Sequence, residues 1–290
     1  MPDKRRCRVT LSIEPNERVS FKVHYEDEHL AIIEKPAGLV TTPGKGHEYD
    51  TLQNGLFAQY GHTLQNVGAD RDFGLLQRLD RDASGLILLA LTPPAWEAMR
   101  DSFREKKVRK FYWAITRTAP NKPKGVIRRP IEEKLSKRDD KWISDPRRSK
   151  FEKVKLARIS SKGKPAITAY RVLQKSGAGA LVECRAVTGR LHQVRAHLDS
   201  IGCSILGDRF YGPRASRTSA PRLMLHAHRI ALPHPMTGDE LDISSKCPRD
   251  MGRVLRQLGM AKPGVFDEHR ADSGDDAQEA PGDAVGEENA

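Results

Sequence analysis

Long apolar runs are missing from this chain. Nowhere do ~18 apolar residues follow one another, the length a membrane-spanning helix needs. The N-terminus, MPDKRRCRVTLSIEPNERVS, lacks the apolar stretch of a secretory signal, so no leader is expected. Cysteine is scarce. Cys7, Cys184, Cys203 and Cys247 form no C-x-x-C pair, which excludes a zinc ribbon and a dithiol redox motif. A chain of 290 residues needs no disulfide staples, and the four are read as free thiols in a reducing cytoplasm. Pro43-Gly44-Lys45-Gly46 lacks Walker A spacing, and no Ser or Cys sits in a nucleophile elbow. There are no internal repeats.

What the chain has is positive charge. Fifty Lys and Arg against 38 Asp and Glu give +12. Residues 267–290 hold nine acids and one base, so that tail carries −8 and residues 1–266 carry +20. Such a surplus favours a polyanionic partner, because every phosphate neutralised releases condensed counterions. A soluble basic protein with no such partner is the plainer alternative, and charge alone leaves both open.

The length suits one large domain or two small ones, at ~100–200 residues each. Residues 1–20 are polar and irregular. Phe21, Val23 and Tyr25 alternate as on a half-buried strand, and Leu30-Ala31-Ile32-Ile33 makes a second one. Lys35-Pro36-Ala37-Gly38 breaks the pattern. Leu75 to Leu91 is the most apolar stretch, interrupted by polar residues 77–84. A helix follows: Thr92 caps it, Pro93 suits its first turn, and Trp96, Met99 and Phe103 share one face. Lys110 to Thr116 is strand-like. Residues 117–164, rich in Lys, Arg and Pro, are expected as a loop-heavy basic insertion with a short strand or two. Ala166–Leu173, Ala180–Val187 and parts of Leu223–Ile243 read as strands, and Leu191, Val194 and Leu198 mark a helix face. From about Lys262 the chain becomes too acidic and apolar-poor to fold. Strands outnumber helices and mostly join near neighbours, which predicts an α+β fold with a mixed, mainly antiparallel sheet.

Three segments carry the chemistry. Gln77-Arg78-Leu79-Asp80-Arg81-Asp82-Ala83-Ser84-Gly85 puts four charges between two apolar runs. A solvated turn explains that cheaply. If strand pairing reaches Asp80, Arg78 and Asp80 share one face and Leu79 takes the other. A carboxylate beside a guanidinium stays ionised in a partly dry cleft, and is then a nucleophile or base. In Thr188-Gly189-Arg190-Leu191-His192-Gln193-Val194-Arg195-Ala196-His197, a helix would set His192 and Arg195 together, opposite the Leu191/Val194/Leu198 stripe. That face is either solvated or meets a phosphate or carboxylate. His192 and His197 are five apart, the wrong spacing for one metal. Along Val108-Arg109-Lys110-Phe111-Tyr112-Trp113, Lys110 and Tyr112 share one strand face. Phe111 and Trp113 share the other. Most aromatics in such a strand are simply core, whereas a Tyr beside a Lys in a basic protein can instead stack on a base while the ammonium meets a phosphate.

Together these segments resemble the RluA/RluD family of ribosomal and transfer RNA pseudouridine synthases. That family's signature around its catalytic aspartate is similar to Arg78 through Gly85, with Ala83 where Thr is usual. The likeness extends to Tyr25-Glu26-Asp27, Lys35-Pro36-Ala37-Gly38, Lys110-x-Tyr112-x-Ala114 and Thr188 through Arg195. It continues in Ile205-Leu206-Gly207-Asp208, Leu225-His226-Ala227 and His234-Pro235-x-Thr237-Gly238, covering about residues 21–250 in order.

The resemblance implies that Asp80 is the essential carboxylate, that Tyr112 stacks on the target base and that Arg195 pairs with Asp80. Arg78, Arg81, Lys110, Arg190 and His192 are the RNA-contact candidates, Arg78 taking the place of the displaced base. It implies a mixed, mainly antiparallel central sheet with flanking helices and loops, crossed by a cleft. It implies neither metal nor organic cofactor. The implied partner is RNA, large-subunit ribosomal RNA first and transfer RNA second. With no membrane-spanning run and no coiled-coil or amphipathic dimer helix evident in the sequence, a monomeric, cytoplasmic protein is expected. The expected organisation is an N-terminal extension at 1–20, too short for an S4 domain, a catalytic domain at 21–262 and a disordered acidic tail at 263–290. Gln77 stands where the family commonly has His. Two other readings compete: a non-catalytic RNA-binding or ribosome-assembly protein, and a metal-dependent nuclease, for which Asp80 and Asp82 lack further acids at ligand spacing.

Overall fold

The computed structural model describes residues 11–137 and 153–264. The acidic tail beyond residue 264, residues 1–10 and the middle of the basic insertion lie outside the described residues.

The alternating segment forms β1 (Lys22–Glu26), and the apolar run after it forms β2 (Leu30–Lys35), an antiparallel pair. Asp27 closes the turn. One of its oxygens accepts from the amides of His29 and Leu30, the other from the Tyr25 hydroxyl and His234 Nε2. Helix α1 (Leu52–Val67) then begins on a capping box between Thr51 and Asn54. The pattern along the chain did not announce it, because Gln53, Asn54 and Gly55 share its buried face with Leu52, Leu56 and Leu64. Residues 11–20 run without regular structure and pack on this helix. A Cβ on Gly55 would lie 2.9 Å from the Val19 Cβ and 3.0 Å from its carbonyl oxygen, so the close approach there needs glycine.

Every residue of β3 (Ser84–Ala90) is buried. Helix α2 (Pro93–Arg104) follows as expected, with the Thr92 hydroxyl accepting from Ala95 and Met99 buried. Then come β4 (Arg109–Thr116), β5 (Lys124–Arg128), β6 (Ile131–Lys137) and β7 (Lys153–Ile159). Among its described residues, the insertion expected to be mostly loop is thus mostly strand. One strand adds to the edge of the main sheet and two pair with each other, which satisfies their backbone groups, while Ile131 and Ala157 reach a small core with Ala196. Strands β8 (Ile167–Ser176) and β9 (Gly179–Ala186) precede α3 (Gln193–Ser200), a short α4 (Arg214–Arg217), β10 (Leu225–Pro233), β11 (Glu240–Ser244) and α5 (Arg249–Gln257).

The main sheet has nine strands in the order β1-β2-β3-β10-β4-β9-β8-β5, with β11 also on β10. Among the described strands only β3 and β10 pair in parallel. They approach closely at Gly85, whose φ is +121° and where a Cβ would lie 2.2 Å from the Ala227 carbonyl oxygen. The expected α+β fold is therefore the observed one. β2 and β3 carry two cores. Ile33, Ile87 and Leu89 face α1, whereas Ile32, Leu86 and Leu88 face α2. Burial on both faces explains why these strands read as unbroken apolar runs. Each such side chain contributes roughly 1.5–3 kcal/mol by leaving water.

Candidate active site

The two apolar halves of the Leu75–Leu91 stretch are joined by an irregular loop. Strand pairing does not reach Asp80. Leu75 bridges Leu89 and the Leu76 N–H donates to the Leu88 carbonyl, but residues 77–80 have no ladder partner, and β3 begins only at Ser84. Side chains take the place of ladder bonds. The Thr41 hydroxyl donates to the Leu79 carbonyl at 2.8 Å, and the buried Lys35 ammonium donates to the carbonyls of Pro36, Leu39 and Arg81. Gly38 N–H also donates to the Arg81 carbonyl. The Lys35-Pro36-Ala37-Gly38 loop thereby anchors the Asp80 loop. The expected division of faces survives: Leu79 is buried with the α1 core, while Arg78 and Asp80 line an open cleft of about 1090 Å³.

Asp80 keeps 22% side-chain exposure at the floor of that cleft. Its Oδ2 accepts from Arg195 at 2.7 Å. Arg195 is spent entirely on acids, with Nε and the other terminal nitrogen both donating to Asp208 at 2.8 Å. Its guanidinium also lies over the rings of Phe210 and Tyr211, 5.3 and 5.1 Å from their centroids. Residue pattern leaves the polar face of this helix either solvated or meeting a phosphate or carboxylate, and it is not the solvated one that is observed. Helix α3 starts at Gln193 and is buried through Leu198, with Arg195 4% exposed. A charge can sit there because each of the three guanidinium nitrogens donates to a carboxylate.

Burial alone would raise the Asp80 carboxyl. The Arg195 charge and hydrogen bond, with help from His192 and Lys35, outweigh it and hold the group below the usual carboxylate range. Asp80 is thus ionised at neutral pH in a poorly hydrated place. Burial pushes the Lys35 ammonium down to about 7, although Asp80 and Asp82 oppose the shift. Burial, then the Asp80 charge, raises the Tyr112 phenol, which stays neutral.

Lys110 and Tyr112 line the cleft, while Phe111 and Trp113 are buried on the other face, as the alternation predicted. Trp113 stacks on His228 with centroids 3.9 Å apart. Burial lowers the Lys110 ammonium to about 8, and its Nζ lies over Phe103. Arg78, Arg81, Arg190 and His192 all reach the cleft wall. Arg190 donates to the Pro165 carbonyl, and Arg81 pairs with Asp82. Gln193 fixes the loop before α3. Its amide donates to the Ile167 carbonyl and Thr168 hydroxyl and accepts from the Thr188 hydroxyl and Arg190 N–H. His192 precedes the helix rather than sharing a face with Arg195. Its Nε2 lies 3.9 Å from Asp80 Oδ1.

Residue patterns did not single out Asp208, Lys35, Phe210 or Tyr211 as parts of the site. Asp208 and Lys35 lay inside matched motifs, but nothing nearby in sequence marks them as partners of Asp80. No group of three or more His, Cys, Asp or Glu side chains that could hold a metal lies among the described residues.

Known proteins share this framework. The RNA pseudouridylate synthase family profile matches residues 29–200. Ribosomal large subunit pseudouridine synthase D of Zymomonas mobilis is 33% identical over 248 residues, 83% of this chain and 73% of that protein. Dual-specificity RNA pseudouridine synthase RluA of Pasteurella multocida is 34% identical over 225 residues, 77% of this chain and 91% of its own length. The solved structure of human RNA pseudouridylate synthase domain containing 4 matches with a TM-score of 0.62 at 28% identity, covering 84% of this chain and 95% of that one. The chain belongs to the RNA pseudouridylate synthase family. It is an isomerase that turns uridine in RNA into pseudouridine. The resemblance drawn from the motifs is borne out at the level of family, fold and reaction.

Proposed function

We propose that this enzyme modifies large-subunit ribosomal RNA, with Asp80 as its catalytic carboxylate. The observation that carries the reading is one ionised carboxylate, fixed by Arg195 on one oxygen and facing a basic cleft with the other. The reaction breaks the C1′–N1 bond, turns the uracil and joins C5 to C1′, while a proton leaves C5 and one is gained at N1. Nothing is oxidised or hydrolysed, and an ionised carboxylate at the sugar–base junction suits that exchange.

The uridine must first leave its stack, at a cost of a few kcal/mol. Tyr112 offers the flipped base a neutral aromatic face, and Arg78, exposed at the rim, fills the gap left behind. Arg100, Arg104 and Lys106 make one wall of the cleft a track for the RNA backbone. Glu133 and Lys155 of the β6–β7 hairpin stand in the same lining, so the basic insertion serves as the second jaw. We assign residues 21–262 to the catalytic unit, and 1–20 and 263–290 to an extension and an acidic tail. We place the protein in the cytoplasm as a monomer. No helix among the described residues is long and apolar enough to cross a membrane.

Ribosomal RNA is favoured because the Zymomonas relative is named for the large ribosomal subunit. A transfer RNA substrate is the second reading, supported by the dual-specificity name of the Pasteurella relative and its 91% coverage. Pseudouridine mapping of ribosomal and transfer RNA by carbodiimide labelling and primer extension separates them. Wild-type cells, a deletion and Asp80→Asn are compared. Stops in large-subunit RNA absent from both mutants support the proposal. Stops lost only from transfer RNA select the second reading. Identical maps overturn both.

A further inference from the structure

Between the hairpin and the Asp80 pocket runs a short chain of hydrogen bonds with a definite direction. It starts at the Ala157 N–H on β7, which donates to the Tyr211 phenol oxygen at 2.9 Å. A backbone N–H can only donate, so that oxygen is an acceptor there and keeps its own proton for another partner. His192 Nδ1, 3.1 Å away, is the only other hydrogen-bond partner of this hydroxyl among the described residues. A phenol that donates to Nδ1 leaves the imidazole proton on Nε2. Nε2 is the nitrogen on the Asp80 side, 3.9 Å from Oδ1, the oxygen that Arg195 leaves free.

The imidazole is held as a fixed object. His192 has φ +48°, a left-handed conformation uncommon for any residue but glycine. Its ring stacks on Phe210 at 5.9 Å and meets the edge of Tyr211 at 5.8 Å. Burial, then the neighbouring Arg195 charge, pushes the imidazole down to about 4 against the pull of Asp80 and Asp208, so it is neutral. A gap of 3.9 Å is too long for a direct hydrogen bond to Asp80. It leaves the N–H available to a substrate atom lodged beside the carboxylate.

Resting on the proposed role of Asp80, we infer that His192 is a neutral donor whose Nε2–H binds an oxygen of the target uridine next to Asp80 Oδ1. Tyr211 is the positioning residue that sets the required tautomer. The hairpin is the source of that setting. Ile131 and Ala157 pack with Ala196 of α3 in one small core, so RNA seated against the hairpin bears directly on the Ala157–Tyr211–His192 line.

Histidine-selective ¹⁵N NMR of the full chain, together with steady-state kinetics on an RNA substrate, tests this. Wild type should show His192 as the Nε2–H tautomer, and Tyr211→Phe should convert it to a mixture. Losing one such hydrogen bond in the transition state should lower kcat about ten-fold, with KM moved less than about two-fold. His192→Gln, whose amide still offers an N–H, should retain about ten-fold more activity than His192→Leu. A wild-type Nδ1–H tautomer, an unchanged kcat in Tyr211→Phe, or equal losses in His192→Gln and His192→Leu would each overturn the inference. Should Tyr211→Phe not fold, the wild-type spectrum and the His192 pair still decide. An active Asp80→Asn enzyme sinks the parent reading instead, whatever the tautomer.

Discussion

The two halves of the sheet are covered differently. β2 and β3 lie between α1 and α2 and are buried on both faces. β8 is longer, at ten residues, yet nearly all of it is half-exposed. The Asp80–Arg195 pair is divided between them. Asp80 hangs from the doubly covered half, on the loop that feeds β3. Arg195 comes from α3, which packs against β7, β8 and β9. The rigid, doubly covered half thus holds the carboxylate, and the more open half holds its cation and the hairpin that lines the cleft. On the proposed role of Asp80, precision is kept where bonds are exchanged, and adaptability where a folded RNA must be received.

The largest expected effect probes the rigid half at its tip. Asp80→Asn should lower kcat by roughly three orders of magnitude, in the range for loss of a catalytic carboxylate. Circular dichroism should stay native, because Asp208 still holds Arg195. Arg195→Ala attacks the joint between the halves. It strands Asp80 and Asp208 without a counter-charge and should cost about 3–5 kcal/mol in urea unfolding, with rate falling far more than RNA affinity. Leu88→Ala against Val172→Ala compares the halves directly. The first should cost about 2–5 kcal/mol and the second clearly less, since Val172 on β8 is only half-buried. Equal losses would erase the distinction.

Acid tests the turn that closes the rigid half. Burial would raise Asp27, but the Tyr25, Leu30, His29 and His234 hydrogen bonds outweigh it and bring it down to about 2. A carboxyl lowered on folding stabilises above its unfolded pKa and loses that contribution as pH falls towards the folded one. Asp27→Asn should therefore cost on the order of 2 kcal/mol at pH 7 and less as pH drops from about 4 to 2. A pH-independent difference would assign the turn's stability elsewhere. The smallest effect belongs to the cleft wall. Arg100→Gln and Arg104→Gln should each reduce the slope of log affinity against log salt by about 1. An unchanged slope would move the RNA track off α2.

Much of this was readable in advance. Apolar runs and alternation located β2, β3, β4, β8 and β9, and Thr92-Pro93 with Trp96, Met99 and Phe103 located α2. The motif around Asp80 located the pocket. What escaped depends on contacts between distant segments. Helix α1 hides because Gln53 and Asn54 are buried by bonds to Asp72, Glu14 and Glu48 rather than by apolarity. The Asp80 loop resembled a strand because Thr41 and Lys35 supply bonds that a strand neighbour usually supplies. Residue pattern alone left Arg195 between a solvated face and a carboxylate partner, since its burial is possible only with acids 13 and 115 residues away. Local pattern reports period and propensity. It does not report which charges will be neutralised across the fold.

That last separation has a consequence in time. Asp80 leaves the ribosome 115 residues before Arg195, which at ~5–20 residues per second is an interval of about 6–23 s. During that interval Lys35 is the cation already made near the carboxylate, and Arg195 gains its second acid only when Asp208 follows. Synthesis from the N-terminus therefore delivers the Asp80–Arg195–Asp208 set only when nearly three quarters of the polypeptide exists.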